Sequence, residues 1–365
     1  KRQSTSSSVS STPMRRSIRH KSSSVRVVTY NLLSSSLSPP YYFPSCKPEW
    51  LDPEFRLDVI LHKLDSECEF GSVICLQEVS MKWSGILHTY FCERGYYFIP
   101  ALHGGKNNGY MGVGIAVPLD KFSIEEVNVT RIVDTKKMPR KQPRNKWWEK
   151  LVDLLLKWWL ALLLYMKWAK KAEDAFWDDA LYRWNMMVCV RLQFKDSKKT
   201  FVVGTYHMPC MFKLPRVMVA HCALSAQHIQ RFAHSEGRQD PFIYCGDFNI
   251  KPDSSMYRLL TEGTLEPSHP DYPIPVEGDD WRPEVQPPLL SAYKVANGSE
   301  PDFTNFAQTV GQPIFCETLD YIFHSNEWCV DSVLELPHRN NVAGPLPNRS
   351  EPSDHLLLAA TLSLP

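Results

Sequence analysis

Eight short apolar runs, none longer than nine residues, punctuate the chain between Val25 and Leu362. They are Val25–Tyr30, Ser72–Leu76, Val113–Val117, Met186–Phe194, Phe201–Thr205, Phe242–Cys245, Thr318–Phe323 and Leu356–Leu362. Runs this short, several of them rich in β-branched residues, predict buried strands rather than helices. Helical signals are fewer. Asp52-Pro53-Glu54 supplies an N-cap, a proline at the first helical position and an acid in the first turn, predicting a helix to about Ser66. Pro215–His234 and Ser254–Leu260 read as two more. Many strands with few helices predict an α/β sandwich with substantial antiparallel content.

Three segments stand outside this pattern. Residues 1–24 are basic, serine-rich and free of acids, which predicts a disordered leader or the remnant of a transit peptide. Residues 266–299 are rich in proline and acids and predict a long surface loop. Residues 136–183 predict a helical insertion; together with Trp184 at its edge they hold seven of the eleven tryptophans. Lys146, Lys150, Asp153 and Lys157 share one helical face there, and Trp158–Met166 is apolar all round. Nine residues fall far short of the roughly 20 that span a bilayer, which excludes a transmembrane helix. Packing on its own domain competes with docking of segment 147–184 on a protein partner or a membrane surface.

Composition narrows the chemistry. The net charge of +1 leaves any attraction for nucleic acid to local patches. The ten cysteines include no CxxC pair, so zinc spacing is absent and the thiols suit a reducing compartment. The expected setting is intracellular, most simply cytoplasmic, or mitochondrial if the leader belongs to a transit peptide.

The polar residues that carry chemistry sit at the ends of the apolar runs. Gly246-Asp247-Phe248-Asn249 follows Phe242–Cys245, and its carboxylate and amide, two apart, can orient a water and touch a phosphate oxygen. Glu78 follows Ser72–Leu76, where a carboxylate must be paired or ligate a metal; Mg²⁺ takes such hard oxygen ligands. Asp320 lies within Thr318–Phe323, and Ser353-Asp354-His355 precedes the last run. A buried aspartate holding a histidine fixes its tautomer and favours its charged form.

Taken in order, Tyr30-Asn31, Gln77-Glu78, His207, Gly246-Asp247-Phe248-Asn249, Leu319-Asp320-Tyr321 and Ser353-Asp354-His355 resemble the exonuclease–endonuclease–phosphatase superfamily, which includes DNase I. The resemblance runs from about Val25 to Leu362 and is interrupted by the Trp-rich segment. It implies a four-layer sandwich of two packed mixed β-sheets flanked by helices, in a single catalytic domain over 25–365. It also implies a Mg²⁺-dependent phosphodiesterase, with Mn²⁺ as a substitute. Glu78, Asn31 and Asp354 would form the metal site, and Asp247 would prepare the attacking water. Asn249 and His207 would contact the phosphate, and His355, held by Asp320, would stabilise the transition state.

Finer details resemble the deadenylase branch, which also holds nocturnin, the Angel proteins and the 2′,5′-phosphodiesterases. Tyr30-Asn-Leu-Leu33, the Pro-Tyr residues after it, Trp50, Glu54-Phe-Arg56, Pro252-Asp-Ser254 and Phe303-Thr-Asn-Phe306 carry that likeness. It implies an adenine stacked on Phe315, with Asn185, Asn249, Asn305 and Pro209 also lining the substrate site. Where the branch has a tryptophan and an acidic-proline pair after the histidine, this chain reads Met208-Pro-Cys-Met-Phe212, so Pro209 or Phe212 would supply the second face. The expected substrate is adenylate-rich single-stranded RNA shortened from its 3′ end. The rival readings are a small nucleotide, a 2′,5′-oligoadenylate or RNA 2′,3′-cyclic end, a lipid headgroup, and an inactive scaffold.

Overall fold

The structure, a computed structural model, describes residues 23–138 and 176–365. Their strands are β1 (Ser23–Asn31), β2 (Val73–Val79), β3 (Tyr96–Leu102), β4 (Gly112–Pro118), β5 (Phe122–Arg131), β6 (Met186–Phe194), β7 (Thr200–His207), β8 (Phe242–Asp247), β9 (Leu290–Ser291), β10 (Asn305–Ala307), β11 (Phe315–Glu317), β12 (Asp320–His324), β13 (Cys329–Val333) and β14 (Leu358–Leu364). One six-stranded sheet has the order β13-β14-β1-β2-β4-β3, the other β5-β6-β7-β8-β12-β9, and β10–β11 is a separate hairpin.

Each sheet contains one parallel pair, β1–β2 in the first and β7–β8 in the second. A parallel pair needs a crossover, and helices Pro53–Glu69 and Pro215–Ala233 provide it. The first starts as its sequence predicts, with Asp52 accepting from the N–H groups of Glu54 and Phe55, and runs past Ser66 to Glu69. Both crossover helices cover the outer faces of their sheets.

Between the sheets lies a core of alternate residues from both: Val25 and Val27, Val73 and Cys75, Val188 and Val190, Ile243 and Cys245. Residues of the opposite alternation, such as Val28, Ile74, Val202 and Tyr244, face the helices. Burial on both faces is why these strands read as unbroken apolar runs. The result is the expected four-layer sandwich.

Three expectations need amendment. Ser23 and Ser24, placed in the leader, already pair with Leu364 and Ser363; residues 1–22 lie outside the described ones. The run 266–299 is not a loop throughout. It ends in β9 and in helix Ala292–Asn297, which Gly298 closes in the left-handed conformation at φ 80°. Burial of Leu289, Ala292 and Tyr293 draws that end inward, and the Tyr293 hydroxyl donates to the Leu334 carbonyl at 2.9 Å.

The third concerns the insertion, of which residues 139–175 lie outside the described ones. Its exit is helical over 176–181, where Phe176, Trp177 and Ala180 pack on Val217 and Ala220 of the crossover helix. Trp177 Nε1 donates to the Ile274 carbonyl at 2.8 Å, so this tryptophan belongs to the interior rather than to a docking face. At the entry, Lys136 pairs with Asp279 between the rings of Trp177 and Trp281. Among the described residues no helix is long and apolar enough to cross a membrane.

Candidate active site

The two parallel pairs end side by side. Asn31 closes β1 opposite Gln77, and His207 closes β7 opposite Asp247. The antiparallel neighbours begin where those strands stop: Asp320, first in β12, pairs with Asp247, and His355 stands three residues ahead of β14, bridged to Asn305. Opposite strand directions therefore bring the ends of some strands and the starts of others to one rim.

Two backbone devices aim the side chains. A bulge between Gln77 and Val79 interrupts the β2–β4 ladder, and Glu78 sits in it with φ 56°. Such a bulge re-aims a side chain at the edge of a site. At Gly246, φ is 154° and an added Cβ would lie 1.9 Å from the Tyr206 carbonyl oxygen. Only glycine allows β8 to approach β7 so closely just before Asp247.

Beneath the rim, Thr29 donates to Gln77 Oε1 at 3.2 Å and Gln77 Nε2 donates to Thr205 Oγ1 at 2.9 Å. This buried chain of side chains ties the strand ends of the first sheet to those of the second.

Asp247 Oδ2 is the centre of the cluster. Asn31 Nδ2 donates to it at 2.9 Å, His207 Nε2 lies at 3.4 Å and His355 Nε2 at 3.6 Å. The other carboxylate oxygen accepts the Asn249 N–H at 2.9 Å, an Asx turn that puts Asn249 at φ 52°. Asn249 Nδ2 in turn donates to the Met208 carbonyl at 2.9 Å. Asn31 Nδ2 also reaches Glu78 Oε1 at 3.3 Å, and the Ser34 N–H donates to Glu78 Oε2 at 2.8 Å.

Behind His355, Asp320 Oδ2 lies 2.8 Å from Nδ1 and accepts from Thr304 Oγ1 at 2.6 Å. Burial by itself would strip the proton from the imidazole, but Asp320 and Asp247 together raise the pKa of His355 well above its usual value. Burial also pushes the Asp320 carboxyl up, against the pull of the imidazolium.

Asp247, Asp320 and His355 bring their ligand-type atoms within 4.8 Å of one another. Asp320 Oδ2 and His355 Nδ1 are already bonded to each other, which leaves the carboxylates of Glu78 and Asp354 as the further oxygen donors for a metal. Three buried atoms at the rim, His207 Nδ1, Asp320 Oδ1 and Asp354 Oδ1, have no hydrogen-bond partner among the described residues. Among those residues, neither Glu78 nor Asp354 is ion-paired with a lysine or arginine. Carboxylates with no lysine or arginine partner are hard oxygen donors that suit a divalent cation such as Mg²⁺, whereas the Asn31 amide turns Nδ2 to Glu78 and Asp247 and gives its oxygen to the Leu33 N–H at 2.9 Å.

The residues expected at the substrate are placed unevenly. Phe315 is half-buried and Phe212 is 50% exposed, their ring centroids 6.4 Å apart and tilted by 46°. Lys251 Nζ stands 5.4 Å from the centre of the Phe315 ring. Pro209 is buried, so Phe212 rather than Pro209 offers the second aromatic face. Asn185 spends its amide on the His207 carbonyl at 2.8 Å, and Asn305 on Asp354 Oδ2 at 3.3 Å; both hold site residues from behind.

Three contributors carry no role in the sequence reading. Thr304 holds Asp320 and accepts from the N–H groups of Leu319 and Asp320; the run Phe303-Thr-Asn-Phe306 marked its position. His103 accepts from the Met186 N–H at 3.3 Å, and burial together with the neighbouring His207 lowers its pKa to about 4. Arg56 is buried and donates to the carbonyls of Leu32, Leu33 and Pro352 and to Ser38 Oγ. It thus links the turn after Asn31 to the turn before Asp354.

Residues 28–355 match the Endonuclease/Exonuclease/phosphatase family. The chain belongs to that family. Among curated members it is 27% identical over 356 residues to human 2′,5′-phosphodiesterase 12, covering 93% of this chain and 51% of that protein. It is also 27% identical over 389 residues to the CCR4-Not complex 3′-5′-exoribonuclease subunit Ccr4 of Aspergillus oryzae, covering 92% and 47%. The chain thus spans about half the length of the curated family members it matches.

Solved structures of the family share the fold. ANGEL2, a 2′,3′-cyclic phosphatase crystallised with adenosine-2′,3′-vanadate, superposes with a TM-score of 0.69 at 21% identity, over 94% of this chain and 97% of that one. The human nocturnin catalytic domain superposes with a TM-score of 0.59 at 20% identity, over 94% and 95%.

Proposed function

We propose that this chain is a Mg²⁺-dependent phosphodiesterase that shortens adenylate-rich single-stranded RNA from its 3′ end. The observation that carries the reading is the convergence of Asn31, His207 and His355, drawn from both sheets, on one oxygen of Asp247. That oxygen orients a water for in-line attack and takes its proton. Charged His355, fixed by Asp320, and His207 meet the oxygens on which negative charge grows. Asn249 spends one amide hydrogen on Met208 and turns the other to the phosphate. Bound at Glu78, Asn31 and Asp354, Mg²⁺, or Mn²⁺ in its place, would neutralise charge on the phosphate.

The adenylate preference rests on the corner formed by Phe315 and Phe212, because a base stacked on an exposed ring gains roughly 1–3 kcal/mol. It is also supported by the likeness to Ccr4, a 3′-5′-exoribonuclease. A second reading draws on the comparable likeness to 2′,5′-phosphodiesterase 12: the Asp247 cluster acts at phosphorus, chemistry common to 3′,5′ and 2′,5′ linkages.

Incubation with Mg²⁺ and 5′-labelled RNAs, with and without an A-tail, tests the proposal. A ladder receding from the 3′ end, faster through adenylates and absent with Asp247→Ala, is the expected result. Intact RNA with both proteins would sink it, and selective loss of 2′,5′-linked oligoadenylate would favour the second reading.

A further inference from the structure

Beyond the catalytic rim, the turn Pro39–Tyr42 displays two aromatic rings that the core does not use. Tyr41 is 77% exposed and Tyr42 40% exposed, while the next residue, Phe43, is buried. The turn is held firmly. The Tyr42 N–H donates to the Pro39 carbonyl at 2.9 Å, and Pro40 fixes the backbone at the turn's second position. Phe43 and Cys46 anchor the following residues in a small apolar cluster with Leu33, Leu51 and Ala307. Tyr42 leans edge-on against Phe43, ring centroids 5.3 Å apart. A rigid mount for an exposed ring lowers the ordering cost of binding a flat ligand.

The turn is also fastened to the hairpin that carries Phe315. The Val310 N–H donates to the Tyr42 carbonyl at 2.8 Å, and Ser45 Oγ donates to Gln308. Val310 lies in the loop between β10 and β11, five residues before Phe315. At roughly 3.3 Å per residue, the point where Tyr42 docks is at most about 17 Å from Phe315 along the chain. Exposed Val310 and Ile314 line the interval. Exposed apolar and aromatic side chains thus recur along the chain from Phe315 through Ile314 and Val310 to the turn that carries Tyr41.

We propose that Tyr41 is a second base platform, one that stacks a nucleobase of a single-stranded chain whose terminal base lies at Phe315. This rests on the RNA reading above and deepens it: the substrate is an oligonucleotide of several residues rather than a mononucleotide or a dinucleotide. Stacking needs a π-face and no particular base edge, so the platform adds affinity without sequence choice.

The test is a length series of single-stranded oligoadenylates, from two to ten nucleotides, hydrolysed by the unaltered chain and by Tyr41→Ala and Tyr41→Phe. With Tyr41→Ala, KM is expected to rise about fivefold to a hundredfold on the longer members, the loss of one base stack. KM on the dinucleotide and kcat throughout stay unchanged, and Tyr41→Phe behaves as the unaltered chain. An equal effect at every length, or none at any length, overturns the platform while leaving the RNA reading intact; the latter is what a protein-docking role for this turn would give. A loss with Tyr41→Phe as large as with Tyr41→Ala overturns stacking in favour of a hydroxyl hydrogen bond. If the unaltered chain cleaves no member of the series, both readings fall together.

Discussion

Arg56 shows how a side chain remote from the reaction can fix its geometry. Burial lowers its pKa to about 10, which still leaves it charged at neutral pH. Its guanidinium lies over the Trp83 ring at 5.2 Å and satisfies three carbonyls and a hydroxyl. Removing it leaves buried acceptors without donors, at about 1–3 kcal/mol each. Arg56→Leu is therefore expected to lose about 3 kcal/mol or more in urea unfolding, and Arg56→Lys to recover only part, because an ammonium lacks the planar fork. An unchanged unfolding midpoint in Arg56→Leu would show that the turns around Asn31 and Asp354 hold without it.

At the scale of single elements, two glycines make opposite demands. Gly246→Ala forces a Cβ against the Tyr206 carbonyl at 1.9 Å, and a loss of at least about 2 kcal/mol is expected from the forced shift of β8. Gly85, inside helix Met81–Glu93, has nothing within 4 Å of its added Cβ; alanine there is expected to gain about 1 kcal/mol. Calorimetric melting of the two variants should split them in opposite directions, and a common shift would refute the steric argument.

The same contrast between inside and edge explains what the sequence made legible. The strands evident as apolar runs, β1, β2, β4, β6, β7, β8, β12 and β14, all lie inside their sheets and mostly bury both faces. Those that escaped notice, β3, β5, β9 and β13, are the sheet edges, along with the hairpin β10–β11. The exposed and half-exposed residues of β5 and β13 break the apolar pattern. Helix Met81–Glu93 was hidden by its aromatic and β-branched content, although Ser80 caps it through the Trp83 N–H. The acid and imidazole residues were visible because each lies at, or within a few residues of, the end or start of a strand. Thr304 and Arg56 were not assigned roles, since a hydroxyl or guanidinium that works by holding another residue has no pattern of its own.

Over the whole molecule, buried neutral histidines are expected to weaken the fold in acid. His221 is buried, with Nε2 donating to the Ala180 carbonyl and Nδ1 accepting from the Tyr206 hydroxyl, both at 2.9 Å. That arrangement requires the neutral ring, and burial lowers its pKa to about 4. Unfolded, the ring titrates near 6.5. Between those values the unfolded chain binds more protons, so stability falls as pH drops from about 6.5 towards 4, by up to about 3 kcal/mol. His221→Gln is expected to flatten that acid limb, measured by unfolding at each pH; an unaltered slope would assign the loss to other groups.

A last consequence follows from the pairing of β1 with β14. The earliest-made strand of the first sheet lies between β2 and the latest, with Val25 opposite Leu362 and Thr29 opposite Leu358. Asn31 arrives with one of these strands and His355 with the other. During synthesis the reaction centre therefore cannot close until the ribosome has released residues near 364, some 340 positions after β1 emerges. A nascent chain, or one cut short before His355, carries no finished centre, so the fold itself delays any chemistry at this rim until β14 has been made.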